Sequence, residues 1–219
     1  MDSCVCAALA ARDYEAYGLH FSYGQRTEDR ELQAAKAVAG KLGFKDFLHL
    51  KMDLFRRIGG SALTDAAMDV PKAPEEEAVI GAEIPVTYVP FRNAHFLAAA
   101  VSWAEVLGAK RVMIGAVEQD SSGYPDCRPV YYEAFQHLIK AGTREGKIAV
   151  ETPLIQMRKR EIVRLGLELG APLDLTWSCY CGAEEACGEC ESCVLRLRAF
   201  SEAGIADPIR YARTESANC

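Results

Sequence analysis

The sequence predicts an α/β fold built around a mainly parallel sheet. Apolar and aromatic segments typical of strands alternate along the chain with segments whose apolar residues recur at helical spacing. Strands separated by helices run parallel and are joined by right-handed crossovers. The chain has 219 residues, enough for one domain with a sizeable core. We therefore expect a three-layer α/β sandwich.

The first half of the chain opens with two helix-strand pairs. Residues 2–11 are small and apolar, which predicts a buried helix. Residues 17–23 read YGLHFSY, and such aromatic and apolar residues suit a packed strand. Residues 28–42 carry an apolar helical stripe, and Gly43 follows where helices commonly end. Residues 46–52 alternate as a second strand.

The middle of the chain contains a loop and the clearest helix. Residues 59–84 hold glycines, prolines and an acidic triplet, which predicts a long surface loop. Residues 93–107 show strong helical periodicity. Residues 111–116 form a short apolar run suited to a covered parallel strand, and residues 117–129 are a polar loop. Further helices are expected near 130–145, 158–169 and 193–203.

Ligands of such folds bind at the carboxyl ends of the parallel strands. Those ends fall at residues 22–26 and 115–128, and both segments are rich in glycine and polar side chains. This coincidence first indicates an enzyme.

Composition narrows the class of protein. The formal net charge is −6, which argues against broad nucleic-acid binding because such binding depends on clustered Lys and Arg. No apolar stretch reaches the roughly 18 residues that a membrane helix requires. The first residues contain no basic signal region. Nine cysteines in such a chain indicate thiols or metal ligands rather than disulfides, so we expect a cytoplasmic protein.

Five cysteines crowd one C-terminal stretch. Cys187, Cys190 and Cys193 are separated by two-residue gaps, which let thiolates converge on one ion. A fourth ligand comes from Cys179 or Cys181. Buried thiols are one alternative, but the neighbouring Glu, Ser and Gly do not resemble a core. An iron–sulfur cluster is another, although that pattern requires a following Cys-Pro. We favour one structural zinc ion, because four sulfurs leave no open position for catalysis.

Several segments together resemble the 7-cyano-7-deazaguanine synthase family of the queuosine pathway. They cover nearly the whole chain in order and read Tyr23-Gly24-Gln25-Arg26, Gly59-Gly60-Ser61-Ala62-Leu63-Thr64, Val89-Pro90-Phe91-Arg92-Asn93, Ser122-Gly123-Tyr124-Pro125-Asp126-Cys127-Arg128-Pro129, Thr152-Pro153-Leu154, Lys159, Thr176-Trp177-Ser178-Cys179-Tyr180 and the cysteine stretch at 187–193. One such block is weak evidence, whereas all of them in order are specific. Thr27 departs from the family, which often has His there.

The resemblance implies an ATP pyrophosphatase domain of the adenine-nucleotide alpha-hydrolase type over residues 1–170, with a zinc-binding segment at 171–219 packed on it. Family members bind phosphates with a Ser-Gly-Gly-x-Asp-Ser loop that leads into a helix, where backbone N–H groups face the anion. Met1-Asp2-Ser3 matches only the last three positions of that loop. We therefore expect a longer natural protein and weak or absent turnover from the chain as given.

The activity implied is ligation of 7-carboxy-7-deazaguanine and ammonia to the nitrile through adenylated intermediates and an amide, with ATP as co-substrate accompanied by Mg²⁺. The resemblance implies cationic roles for Lys159 and Arg92 at the reacting phosphates. The remaining assignments are ATP binding by Met1, Asp2, Ser3, Cys4 and Arg26, and substrate binding by Tyr23, Asn93, Tyr124, Asp126 and Arg128. It also selects Cys179 as the fourth zinc ligand, beside Cys187, Cys190 and Cys193, and implies a homodimer.

Two other functions compete with this one. Another adenylating ATP pyrophosphatase, such as an amide-forming or tRNA-thiolating enzyme, shares the fold. A sulfur-transfer enzyme would want a catalytic cysteine pair, whereas Cys127 stands alone in its loop. A non-enzymatic zinc module that binds protein or nucleic acid is the second alternative, and the acidic charge balance argues against it.

Overall fold

The computed structural model describes residues 1–74, 83–119, 123–182 and 184–212. Its helices are α1 (Asp2–Asp13), α2 (Glu28–Lys41), α3 (Leu54–Ile58), α4 (Arg92–Leu107), α5 (Pro129–Gly142), α6 (Lys159–Glu168) and α7 (Glu191–Ala203). Its strands are β1 (Tyr17–Ser22), β2 (Asp46–Lys51), β3 (Arg111–Met113) and β4 (Ala149–Glu151). Short 3₁₀ turns cover Pro125–Cys127 and Leu173–Leu175. The α/β class is confirmed.

The strands pair in parallel. β1 lies beside β2 in a register from Tyr17 opposite Asp46 to Ser22 opposite Lys51. β3 lies beside β4, with Arg111 opposite Ala149. Within the described ranges these pairs belong to two separate two-stranded sheets. Parallel strands are thus confirmed, and a three-layer sandwich around one sheet stays a prediction.

Most of the expected helices and strands lie within a few residues of their predicted bounds, and the differences occur in short elements. β3 ends at Met113 rather than at residue 116, because the chain then turns along the wall of a cavity. α3 and β4 were not predicted, since five and three residues are too few for a periodic pattern. Part of the loop expected at 59–84 lies outside the described residues, and Ser122 lies outside them too. No helix in the described part is long and apolar enough to cross a membrane.

Two cores support the site. In the first, Val5 of α1 packs with Ile162 and Val163 of α6 and with Phe200 of α7, all of them buried. The second packs apolar faces of α4 and α5 over β3 and β4, with Leu97 at its centre. Together they hold the first residues of α1, α4, α6 and α7 near one another.

Gly115 is required by the close approach of two backbone segments. A Cβ atom there would lie 2.8 Å from both the Cα and the N atom of Ser3. Real Cβ atoms essentially never come so close to backbone, and backbone cannot swing aside as a side chain can. The absence of a side chain therefore lets the start of α1 lie directly against the segment after β3.

A buried ion pair ties the end of the chain to α7. The Arg196 guanidinium donates two hydrogen bonds to the Asp207 carboxylate, at 2.7 and 2.9 Å, and both side chains are almost fully buried. Arg196 also donates to the hydroxyl oxygen of Thr176 at 2.7 Å, and the Tyr211 hydroxyl donates to Asp207 at 2.7 Å. The segment around 207–211 is held further by main-chain bonds between Ala186 and residues 210 and 212, at 2.9 and 2.8 Å.

Gly115→Ala should push the start of α1 away from the segment after β3 and lower the free energy of unfolding by about 1–3 kcal/mol, as overpacking typically does. Gly40→Ala is the control, because a Cβ on this exposed residue of α2 meets nothing within 4 Å. The control should gain up to about 1 kcal/mol. Urea denaturation followed by circular dichroism measures both, and equal stabilities of the two variants would contradict the close-approach argument.

Asp207→Asn should cost about 3–5 kcal/mol of stability, because the Arg196 cation would remain buried without its counter-charge. Asp69→Asn removes a carboxylate from an exposed residue and serves as the control. Thermal unfolding of the two variants gives the comparison. An Asp207→Asn protein as stable as the control would show that the ion pair does not hold the C-terminal segment.

Candidate functional site

A cavity of about 190 Å³ lies beyond the carboxyl end of β3. It is lined by Met1, Asp2, Arg92, Gly115, Ala116, Val117, Tyr124, Cys127, Lys159, Ser178, Tyr180, Ser192, Leu195 and Arg196. This is the edge at which parallel α/β proteins bind ligands. Of the two predicted strand-end segments, the one at residues 115–128 contributes to the lining, while residues 22–26 lie outside it.

Four helices begin at this cavity. Asp2, Arg92 and Lys159 are the first residues of α1, α4 and α6, and Ser192 is the second residue of α7. A helix N-terminus carries a partial positive charge and unpaired N–H groups, so it stabilises anions. The side chains of Arg92, Lys159 and Arg196 add three cations, of which Lys159 is paired with Asp2 and Arg196 with Asp207. The cavity is therefore suited to a negatively charged ligand.

Lys159 and Asp2 form an ion pair on the cavity wall. The Lys159 Nζ atom donates to Asp2 Oδ2 at 2.6 Å, and both side chains are largely buried. Burial opposes ionisation of Asp2 most strongly, but the charge of Lys159, the charge of the Met1 amino group and the Lys159 hydrogen bond together keep the pKa of this carboxyl below its ordinary value. Asp2 Oδ1 has no hydrogen-bond partner within the described part of the chain. A carboxylate oxygen and a paired cation are thus available to a ligand.

Arg92 is held by aromatic residues. Its Nη1 donates to the Tyr23 hydroxyl at 2.8 Å, and its guanidinium carbon lies 5.4 Å from the centre of the Tyr23 ring and 5.8 Å from that of Phe96. Phe91, which precedes it, adopts left-handed backbone angles with φ of 57°. Such angles are costly for a non-glycine residue and cluster at functional sites. Tyr23 lies outside the cavity lining, and its hydrogen bond with Arg92 holds that side chain in position.

Tyr124 lines the cavity beside Arg92. Its hydroxyl donates to the Thr87 hydroxyl oxygen at 3.1 Å and lies 3.4 Å from the Tyr180 hydroxyl. The Arg92 guanidinium carbon is 5.9 Å from the Tyr124 ring centre. Burial raises the pKa of Tyr124, so the phenol is neutral and can donate a hydrogen bond.

Asn93 and Asp126 hold the 123–128 loop against the start of α4. The Asn93 backbone N–H donates to Asp126 Oδ2 at 3.0 Å, and the Asn93 side-chain amide donates to the Asp126 carbonyl at 3.0 Å. Asp126 thus accepts one of the N–H groups that a helix start leaves unpaired. Both side chains are buried and neither lines the cavity, so their observed role is to order the loop that carries Tyr124.

Four other predicted site residues lie outside the cavity lining. Arg26 is engaged by loop carbonyls: it donates to the carbonyl of Ala62 at 2.8 Å, to that of Asp65 at 3.2 Å and to that of Met68. Arg128 is exposed and donates to the Pro125 carbonyl at 3.0 Å. The other two are Ser3, which is exposed and lies against Gly115, and Cys4, which is buried in the first core.

The cavity also includes residues that the sequence reasoning did not assign. Ser178 and Tyr180 belong to the block at 176–180 that resembles the family. Their place in this block, beside Cys179, could have identified them as site residues. In the sequence, Cys127 is a single cysteine in its loop and gives no sign of a role. Burial raises the pKa of its thiol to about 11. Arg196 and Ser192 carry no motif of their own, since they reach the cavity only through the placement of α7.

The four predicted metal ligands converge. The sulfur atoms of Cys179, Cys187, Cys190 and Cys193 all lie within 4.8 Å of one another, and those of Cys187 and Cys193 are 3.9 Å apart. Zinc–sulfur bonds of about 2.3 Å in a tetrahedron place the sulfurs ~3.8 Å apart, so the donor set fits this ion. Cys181 is exposed and outside the group.

The backbone around the cluster also suits thiolate ligands. Cys179 Sγ accepts N–H groups of Cys181, Gly182 and Cys187 at 3.3, 3.1 and 3.3 Å. Hydrogen bonds from the thiols of Cys190 and Cys193, supported by these backbone donors, hold the pKa of Cys179 below its ordinary value. A sulfur that is already stabilised as an anion is a ready metal ligand.

The chain is similar to known proteins along nearly its whole length. A family model described as queuosine biosynthesis protein QueC matches residues 1–204. A protein of Acidobacterium capsulatum named 7-cyano-7-deazaguanine synthase is 84% identical over 97% of this chain and 93% of its own length. Proteins of the same name from Koribacter versatilis and a Nitratiruptor species are 64% and 50% identical, over 97% and 98% of this chain and 90% and 96% of their own lengths. The chain therefore belongs to the QueC family of queuosine biosynthesis proteins.

Proposed function

We propose that this protein is an ATP-dependent ligase that converts 7-carboxy-7-deazaguanine and ammonia into 7-cyano-7-deazaguanine. The observation that carries the proposal is the Lys159–Asp2 pair, which lies where four helices begin, in a cavity with two further cations. Such a place favours polyphosphate over neutral ligands. The names of the relatives supply the product, 7-cyano-7-deazaguanine, and we take the acid that carries a carboxylate in place of its nitrile as the group that ATP activates.

The chemistry requires a leaving group. A carboxylate is a poor electrophile, because it would have to expel oxide. Its oxygen attacks the α-phosphorus of ATP, the bond to the β-phosphate breaks, and pyrophosphate leaves. Ammonia then attacks the acyl carbon, displaces AMP and loses a proton, which gives the amide. The amide oxygen attacks the α-phosphorus of a second ATP, with loss of pyrophosphate and of one N–H proton, and departure of AMP with the second N–H proton gives the nitrile.

The protein contributes charge and position rather than a covalent intermediate. Lys159 and Arg92 are the cations that stabilise charge on the transferring phosphoryl group and the departing pyrophosphate. In ATP-dependent enzymes, Mg²⁺ is bound by one or two protein carboxylates together with the phosphates of ATP. Asp2, with its unpartnered Oδ1, is the carboxylate that fits this role.

The other assigned residues act around this centre. Met1 and Asp2 line the ATP end, and Ser3 and Cys4 continue the first turn of α1 there. Tyr124 contacts the acid, while Tyr23, Asn93 and Asp126 hold Arg92 and the loop in place. The roles of Arg26 at the phosphates and of Arg128 at the acid stay predictions, as do the homodimer and the three-layer sandwich of the ATP pyrophosphatase type.

The four-cysteine group holds one zinc ion in this proposal. All four positions of a tetrahedral site are supplied by sulfur, so the ion is structural and takes no part in the reaction. Its role is to fix residues 179–193, whose ends carry Tyr180 and Ser192 at the cavity.

Lys159→Met should lower kcat/KM for ATP by about 100- to 1,000-fold, because a cation at the reacting phosphates is lost while the stem length is kept. Lys110→Met, on an exposed lysine outside the cavity, is the matched control and should behave as wild type. The assay is pyrophosphate release that depends on 7-carboxy-7-deazaguanine and ammonia. Release that does not depend on the acid would contradict the proposed ligase, and an active Lys159→Met protein would remove Lys159 from the mechanism.

Cys179→Ser should reduce bound zinc well below one ion per chain, because a ligand at the centre of the site is lost. Cys181→Ser should retain one ion, since this thiol lies outside the group. Metal analysis of both purified variants provides the measurement. Loss of zinc from Cys181→Ser alone would overturn the choice of ligand.

A further inference from the structure

Tyr180 stands between the cysteine segment and the cavity. Its ring packs, half-buried, against the cluster that contains Trp177 and the four cysteines. It also packs against the aromatic cluster around Tyr23 and Phe55. The same residue lines the cavity. Tyr180 is therefore held by two clusters and contributes surface to the cavity.

Tyr180 shares its wall of the cavity with two other planar groups. Its hydroxyl lies 3.4 Å from that of Tyr124, which is itself anchored on Thr87 at 3.1 Å. The guanidinium of Arg92 lies 5.9 Å from the centre of the Tyr124 ring. Rigid aromatic rings and a guanidinium plane suit a flat heteroaromatic ligand, because every such ring offers a face for stacking.

The two substrates differ in how far their rings lie from the reacting atoms. In 7-carboxy-7-deazaguanine the carboxylate is bonded directly to the ring. In ATP a ribose separates adenine from the α-phosphorus. A planar wall in the same cavity as Lys159 and Asp2 therefore lies within reach of the acid's ring when its carboxylate meets the phosphate.

The position of Tyr180 depends on the metal-binding segment. Tyr180 directly follows Cys179. The two residues after Tyr180, Cys181 and Gly182, donate their backbone N–H groups to the Cys179 sulfur. The backbone of residues 180–182 thus curves around this sulfur. When the sulfur is held in place, these hydrogen bonds also hold the backbone at Tyr180. Ser178, on the other side of Cys179, also lines the cavity.

We infer that Tyr180 is a specificity-determining residue that contacts the planar ring of the deazapurine acid, and that the cysteine segment serves the reaction by placing it. This inference rests on the proposed function. It adds a residue to substrate recognition and gives the cysteine cluster a part in choosing the substrate, in addition to stabilising the fold.

The test compares Tyr180→Leu with Tyr180→Phe in the full chain. Leucine keeps apolar volume but loses the flat face, whereas phenylalanine keeps the ring and loses the hydroxyl. Tyr180→Leu should raise KM for 7-carboxy-7-deazaguanine about 10- to 100-fold, the range expected when a stacking ring is removed. KM for ATP and the zinc content should not change. Tyr180→Phe should stay close to wild type, as should Tyr14→Ala, a control on a tyrosine outside the cavity.

Calorimetric titration with the acid alone gives a second measurement that does not require turnover. It should show the same loss of affinity in Tyr180→Leu and its retention in Tyr180→Phe. Equal affinities of the two variants for the acid would overturn the inference, as would a rise in KM for ATP instead, or loss of zinc from Tyr180→Leu. A wild-type protein that binds neither ATP nor the acid in the calorimeter would instead overturn the proposed function itself.

Discussion

The convergence of four cysteine sulfurs is the constraint on which the cavity depends. Cys179 and Cys193 are distant enough in sequence for the chain between them to adopt many conformations, yet their sulfurs lie within 4.8 Å. Bringing thiols together without a bound ion is unfavourable, whereas a metal ion that binds them contributes its binding free energy to folding. The loop closed between Cys179 and Cys193 thereby fixes two cavity residues, Tyr180 at its start and Ser192 at its end.

A second layer of organisation comes from charge. Lys159 meets Asp2 from a position 157 residues further along the chain, and this pair lies between helix starts that are themselves partly positive. Arg196 adds a cation whose own charge is balanced by the buried Asp207. The cavity consequently combines cations with aromatic side chains. This combination matches a reaction in which a polyphosphate meets an acid attached to a flat ring.

Sequence patterns predicted the parts of this arrangement that depend on local order. The spacing of Cys187, Cys190 and Cys193 follows from ligand geometry, and long helices such as α4 follow from apolar periodicity. The α/β class with parallel strands was predicted for the same reason. Lys159 and Arg92 were also assigned to the site, but only because the motifs around them resemble a family.

Contacts between segments that are distant along the chain could not be predicted from the sequence. The Arg196–Asp207 pair joins a helix to a turn with no motif at either residue, and Gly115 is needed only because α1 approaches it. Arg26 was assigned to phosphate from its motif, whereas the fold turns its guanidinium toward loop carbonyls. β4 is three residues long and pairs with β3 across an intervening helix, so no local pattern predicts it.

The central claim is that the metal-binding segment places the wall that recognises the acid. A chelator titration of the wild-type protein tests it most directly, with zinc content and affinity for 7-carboxy-7-deazaguanine measured on the same samples. The account predicts that affinity for the acid falls in step with the zinc removed, while the helix content stays high and ATP still binds. Unchanged affinity for the acid in zinc-free, folded protein would contradict it.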